Sequence, residues 1–240
     1  MFKIAIITAI AALMPFCDHL PLITESPVYA TIKADTTLYS HKTLKEPKVN
    51  LTKGDVVEVL EDYSTMVYKV DANGMQGWVE GKNINIHPEP PIDKTELTKG
   101  QLEAFVNDKA YDSDTDMLML VEINRQKTHV FQGGVGSWQL IKSLDCSTGK
   151  HSSPTVRGQF KLTQRGDWLY SKRFESGAKW WIRFHKDYLF HSTPMTQDKE
   201  VIKAEDVVGQ RLSNGCVRLL LDDIYWLYVN VPDKTSVVVL

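Results

Sequence analysis

The chain has 240 residues, 42% hydrophobic and 24% charged, the balance of a folded chain rather than a low-complexity one. Lys and Arg number 28 against 30 Asp and Glu, a net charge of −2, which argues against a nucleic-acid surface and against steering of acidic substrates by bulk charge. Three cysteines, Cys17, Cys146 and Cys216, cannot build a disulfide framework, so each needs its own explanation.

Lys3 precedes a short apolar run over residues 4–14, stopped by Pro15. A positive tip and an apolar stretch well short of the roughly 20 residues that span a bilayer read as a secretory leader, residues 1–30, with cleavage after Ala30. An uncleaved N-terminal anchor is the alternative. Met14-Pro15-Phe16 is too bulky for a lipidation signal at Cys17, which is then lost with the leader. No other stretch is long enough to span a membrane, so the mature chain is expected to be exported, to the extracellular space, cell wall or periplasm, and monomeric.

Residues 31–86 read as short strands: 56–60, 66–70, the Asn73-Gly74 turn, then Gly77-Trp78-Val79. Short strands over fewer than 60 residues suggest a small barrel. Lys53-Gly54-Asp55-Val56-Val57 and Gly77-Trp78-Val79 resemble segments of the bacterial SH3-like domain, a module that in that family often binds cell-wall peptides. A spacer or fold-stabilising appendage is the plainer reading. Residues 87–116 are a linker: His87-Pro88-Glu89-Pro90-Pro91 is extended and semi-rigid, and Thr98 with Gln101 forms a capping box for a helix through about Asn107. Asp112, Asp114 and Asp116 alternate like half a calcium loop, but Met117 and Ile123 stand where that loop needs Gly and Glu, so they read as a solvated turn.

Residues 117–240 again show strands: 117–123, 128–131 with a Gly133-Gly134 turn, 159–162, 180–184 and 236–240, with one helix over 222–229. The fold class is mainly β with one or two helices. Trp168, Tyr170, Trp180, Trp181 and Tyr188 are expected to be mostly core, with Tyr188 the one picked to line a cleft.

Chemistry concentrates at Ser213-Asn214-Gly215-Cys216-Val217-Arg218. A lone cysteine is usually an inert buried thiol. Here Gly215 permits a sharp turn, Arg218 shares a face with Cys216 in an extended segment and favours thiolate, and Ser213 and Asn214 offer polar groups for an oxyanion. A thiol nucleophile needs a base, and His191, at the end of Tyr188-Leu189-Phe190-His191-Ser192, can be delivered by an apolar strand.

These residues resemble the catalytic motif of the L,D-transpeptidase family: His and a small residue, then Ser-x-Gly-Cys-(Ile/Val)-Arg. Cys146-Ser147-Thr148-Gly149-Lys150, Ser153-Pro154-Thr155-Val156-Arg157-Gly158-Gln159-Phe160 and Asp233-Lys234-Thr235-Ser236-Val237-Val238, with Lys234 in place of a family Gly, resemble three further family segments, so the likeness covers 117–240. Asn214 stands where many members have His, and the 25-residue step from His191 to Cys216 suggests an inserted lid. The resemblance implies an L,D-transpeptidase-like β-sandwich after the SH3-like barrel. It implies peptidoglycan stem peptides as partners and a Cys216 acyl-enzyme forming 3→3 cross-links in cell-wall biogenesis. His191 would be the base and the Ser192 carbonyl its orienter. Ser213, Asn214, Gly215 and the Cys216 amide would support the oxyanion, with Tyr188 and Arg218 near substrate. No cofactor and no metal are required.

An L,D-carboxypeptidase at the same site and a non-enzymatic wall-binding protein are the alternatives. A papain-like peptidase needs Cys before His, whereas every histidine precedes Cys216; Cys146 fits that order, but Thr148-Gly149-Lys150-His151-Ser152-Ser153-Pro154 cannot make the required helix, so Cys146 reads as a structural thiol. A zinc site of His185, His191 and Cys216 lacks ligand spacing.

Overall fold

The computed structural model describes residues 23–202 and 208–240. The proposed leader is therefore outside the described residues as far as residue 22. Among the described residues two sheets are formed. The first holds β1 (Tyr29–Ile32), β2 (Thr36–Tyr39), β3 (Pro47–Leu51), β4 (Val56–Tyr63), β5 (Val67–Ala72), β6 (Met75–Glu80) and β7 (Ile84–Ile86), ordered β3-β2-β6-β5-β4-β1-β7. Asn73 and Gly74, both at positive φ, make the β5–β6 turn, with Asp71 accepting from the Gly74 amide. Alternate residues of β4 and β5 turn inward, Val57, Val59, Tyr68 and Val70, and close a core with Ala30, Ile32, Leu38 and Val79.

The expected start of this module at residue 31 falls inside β1. Val28 belongs to the first core and Ile23 to a core of the second sheet, both nearly fully buried. The Ser26 hydroxyl donates to Asn124 and its carbonyl accepts from Arg157. Cleavage after Ala30 would split β1 and empty both positions, so packing puts the start of the folded chain at or before Ile23. The leader reading missed this because Val28-Tyr29-Ala30 serves equally as a small-residue cleavage site and as an inward-facing strand.

The linker is pinned. Glu89 is buried against Arg157 and Arg211, and Asp93 pairs with Arg125 at 2.5 Å. Helix α1 (Lys99–Asp108) starts at the capping box: the Thr98 hydroxyl accepts from the Gln101 amide, and the Gln101 side chain accepts from the Thr98 amide at 2.9 Å.

The second sheet contains β8 (Met117–Glu122), β9 (Lys127–Gln132), β10 (Gln139–Gly149), β11 (Gly158–Lys161), β12 (Arg165–Ser171), β13 (Ser176–His185), β14 (Tyr188–Ser192), β15 (Arg211–Ser213), β16 (Val217–Leu219) and, after helix α2 (Leu221–Asn230), β17 (Ser236–Val239). The order is β11-β17-β8-β9-β10-β16-β14-β13-β12, with β15 beside β10. Most of β8 is buried because both faces are covered: Leu118 and Leu120 join Leu102 and Val106 of α1, whereas Met119 and Val121 share a core with Ile182, Phe190 and Ile224. Strand β10 joins the two halves, pairing β9 up to Asp145 and β16 from Cys146. The expectation that most of the five aromatics are core is corrected. Tyr188 is buried, Tyr170 is exposed, and Trp168, Trp180 and Trp181 are half-buried; Trp168 and Tyr170 lie on β12, an edge strand, whereas Trp180 on β13 packs against the core.

Candidate active site

Strands β14 and β16 run parallel, with His191 opposite Arg218 and Phe190 opposite Val217. Phe190, Val217 and Leu219 are buried, which turns His191 and Arg218 to the other face. Cys216 immediately precedes β16. Cys216, His191, Arg218, Asn214 and Tyr188 line one cavity of about 640 Å³.

The loop leading into Cys216 is a stapled turn. Gly215 has φ +103°, and its amide donates to the Ser213 hydroxyl at 3.0 Å while that hydroxyl donates to the Cys216 carbonyl at 2.5 Å. The Gly215 carbonyl accepts from Thr155 at 2.8 Å, and the Thr155 hydroxyl accepts from the Gly149 amide. Glycine is required twice over at 215. Its φ suits no L side chain, and a Cβ would meet the Tyr188 ring at 2.7 Å.

The Nδ1 of His191 lies 2.6 Å from the Ser192 carbonyl. A carbonyl only accepts, so Nδ1 carries the proton and Nε2 is left with its lone pair. Burial first, then the Arg218 cation, push this imidazole down to about 4, against a smaller upward pull from the Ser192 carbonyl. Burial raises the Cys216 thiol above its ordinary range, with the Leu189 amide and Arg218 pulling the other way. Both directions favour a neutral thiol and a neutral imidazole at rest over an ion pair. The resting thiol faces the Asp187 carbonyl at 3.6 Å. The Ser192 hydroxyl accepts from the Lys179 amide and donates to the Thr193 carbonyl, so this side chain ties β14 to β13.

Arg218 is half-buried, and its Nε is buried without a hydrogen-bond partner among the described residues. The Tyr188 hydroxyl is already engaged: it accepts from the Asp62 amide at 3.0 Å and faces the Asp62 carbonyl at 3.4 Å. Cys146 is fully buried in the core, its thiol pushed up to about 12 chiefly by burial, and both described cysteines are free. His185 stacks on Phe160 at 4.8 Å and faces Glu61. Among the described residues no group of three His, Cys, Asp or Glu side chains is placed to hold a metal ion, and no helix is long and apolar enough to cross a membrane.

Sequence reasoning missed much of the cavity wall. Residues 62–65 of the first sheet and the β12–β13 hairpin with Arg173 contribute. Of the described residues in the insertion between His191 and the Ser213 motif, Pro194 lines the cavity. Lys150 and Ser153, also in the wall, lay in segments whose pattern pointed to the site.

A thiol and an imidazole with a free Nε2, set in one cleft of a mainly β domain, define a site suited to thiol acyl transfer. The model of the L,D-transpeptidase catalytic domain, YkuD, matches residues 116–239, just over half of the chain, and the chain belongs to that family. It is 35% identical over 123 residues to YciB, a provisional L,D-transpeptidase of Bacillus subtilis (strain 168). That match covers 50% of this chain and 63% of YciB, under two thirds of the relative's length. Among solved structures it is similar to a fused zinc-dependent amidase/peptidase/peptidoglycan-binding domain-containing protein of Clostridium acetobutylicum ATCC 824 (25% identity, 59% of each chain, TM-score 0.49). It is also similar to an L,D-transpeptidase of Stackebrandtia nassauensis (21% identity, 55% of this chain and 59% of that one, TM-score 0.43).

Proposed function

We propose that the protein is a peptidoglycan L,D-transpeptidase that forms 3→3 cross-links through a thioester on Cys216. The observation that carries this reading is that Cys216 and His191 line one cavity, with the His191 Nδ1 held on the Ser192 carbonyl. The Cys216 Sγ attacks the carbonyl of the third residue of a tetrapeptide stem, and its proton passes to His191 Nε2. The Gly215 amide is committed to Ser213, so we assign the oxyanion to the Cys216 amide, with the exposed Asn214 side chain beside it. One such donor contributes about 3–4 kcal/mol to lowering the barrier. Nε2 then protonates the departing amine, D-Ala leaves, and the thioester remains. The side-chain amine of the third residue of a second stem attacks the thioester. Its proton goes to His191 and on to the leaving thiolate, which closes the cycle.

The Arg218 guanidinium, whose buried Nε has no hydrogen-bond partner among the described residues, suits a carboxylate of the stem, a pairing that a partly desolvated cation strengthens. The first sheet we read as the SH3-like module, and we place the protein outside the cytoplasm, as a monomer, where its substrate is. Mass spectrometry of products from a disaccharide tetrapeptide tests the reading. Free D-Ala with a cross-linked dimer supports it. Tripeptide monomer without dimer makes the protein a carboxypeptidase, and no product from an intact chain makes it a binding protein.

A further inference from the structure

The turn between β13 and β14, residues 186 and 187, touches the nucleophile. The Asp187 carbonyl faces the Cys216 thiol at 3.6 Å, and the Tyr188 ring packs where a side chain on Gly215 would sit. Lys186 holds this turn at φ +40°, in the left-handed region that is unfavourable for a non-glycine residue and persists only when its surroundings enforce it. The enforcing contacts come from the first sheet. The Lys186 ammonium pairs with Glu61 at 2.6 Å, and the Tyr188 hydroxyl is bound by the backbone of Asp62. Both residues lie near the end of β4.

A second strut from the same place reaches the same loop. The Asp62 carboxylate accepts from the Ser153 hydroxyl, and the Tyr68 hydroxyl donates to the Ser152 carbonyl at 2.6 Å. Two residues on, Thr155 holds the Gly215 carbonyl. Gly149 leaves no space under this segment, since a Cβ there would meet the Ser153 carbonyl at 2.2 Å. Two independent paths thus run from the end of β4 to the residue preceding the nucleophile.

We propose that the N-terminal sheet is an integral part of the catalytic site, in which Glu61 and Asp62 act as positioning residues that clamp the β13–β14 turn and thereby set the Cys216 thiol and the Gly215 loop. The inference rests on the reading of Cys216 as the nucleophile. It goes further by assigning the first sheet a role in the chemistry itself rather than in anchoring alone. A clamp and a mere appendage predict different behaviour of the thiol. With the clamp released, the turn lifts off Cys216, and the sulfur becomes more accessible to a small reagent while less well placed for an acyl carbonyl.

The test uses the full chain carrying Tyr188→Phe, which keeps the ring and removes the hydroxyl, or Lys186→Met at an exposed position, with Lys82→Met on the first sheet as control. Two quantities are read: the rate of Cys216 alkylation by iodoacetamide at pH 8, and kcat and KM for D-Ala release. The clamp predicts that both turn variants alkylate several-fold faster and lose about tenfold in kcat with little change in KM, while the control matches wild type. Unchanged alkylation and kcat in both turn variants would overturn the inference. So would a rise in KM alone, which would make the first sheet a substrate-binding module only. Failure of the underlying reading looks different: wild type releases no D-Ala, yet the alkylation rates still respond to the clamp.

Discussion

Acidification is expected to leave the base of this site working at a pH where an ordinary histidine has failed. Burial and Arg218 hold the His191 imidazole down to about 4. At pH 6 an ordinary imidazole of pKa near 6.5 is about three-quarters protonated, whereas one at 4 is only about 1% protonated. The kcat/KM for D-Ala release, measured from pH 4 to 8, is therefore expected to run flat through 6.5 and to fall with a midpoint near 4. Arg218→Met removes the second of the two depressing causes and is expected to move that midpoint upward. The same shift is a stability statement. Between 4 and 6.5 the unfolded chain binds a proton at this ring that the native chain does not, so stability falls as the pH drops through that window. At about 1.36 kcal/mol per pH unit the drop from 6.5 to about 4 sets a ceiling of about 3 kcal/mol, and the partial exposure of His191 brings the loss below it. Urea unfolding of wild type and His191→Gln at pH 7 and pH 4 isolates it: the variant loses less stability on acidification. An acid limb centred at 6.5, together with equal losses in the two chains, would refute the reasoning.

Gly215→Ala forces a side chain into φ +103° and against the Tyr188 ring; a stability loss of about 1–3 kcal/mol and at least a hundredfold fall in kcat are expected, read by denaturant titration and product release. Thr155→Val strips partners from the Gly149 amide and the Gly215 carbonyl, with an expected cost of about 1–3 kcal/mol for each buried group left unpaired. In native protein, iodoacetamide followed by peptide mapping is expected to label Cys216 and spare Cys146, which should react only in denaturant, since Cys146 is fully buried with its thiol pushed up to about 12.

The candidate site was legible in the sequence because its residues lie close along the chain. Cys216, Gly215, Ser213 and Arg218 lie within six residues, and β14 delivers His191 by strand alternation alone. The Thr98–Gln101 box marked the start of α1 for the same reason. What the sequence hid depends on contacts between distant segments. Nothing in Glu61-Asp62 signals that it meets residues 186–188, because Asp62 binds Tyr188 through its backbone, which any residue type could supply. The Gly215 amide looked available for an oxyanion, since its capture by Ser213 depends on the exact turn. Strands β1 and β2 were too short to stand out by alternation, and β10 was missed because its first half is largely exposed and only its second half buried.

The most direct measurement is intact-mass and peptide mapping of the protein quenched during turnover with a disaccharide tetrapeptide. A mass increase equal to the substrate less D-Ala is expected, located on the peptide containing Cys216 and absent from Cys216→Ala, which also forms no dimer. A Cys216→Ala protein that still makes cross-linked dimer, or an adduct on any other residue, would contradict it.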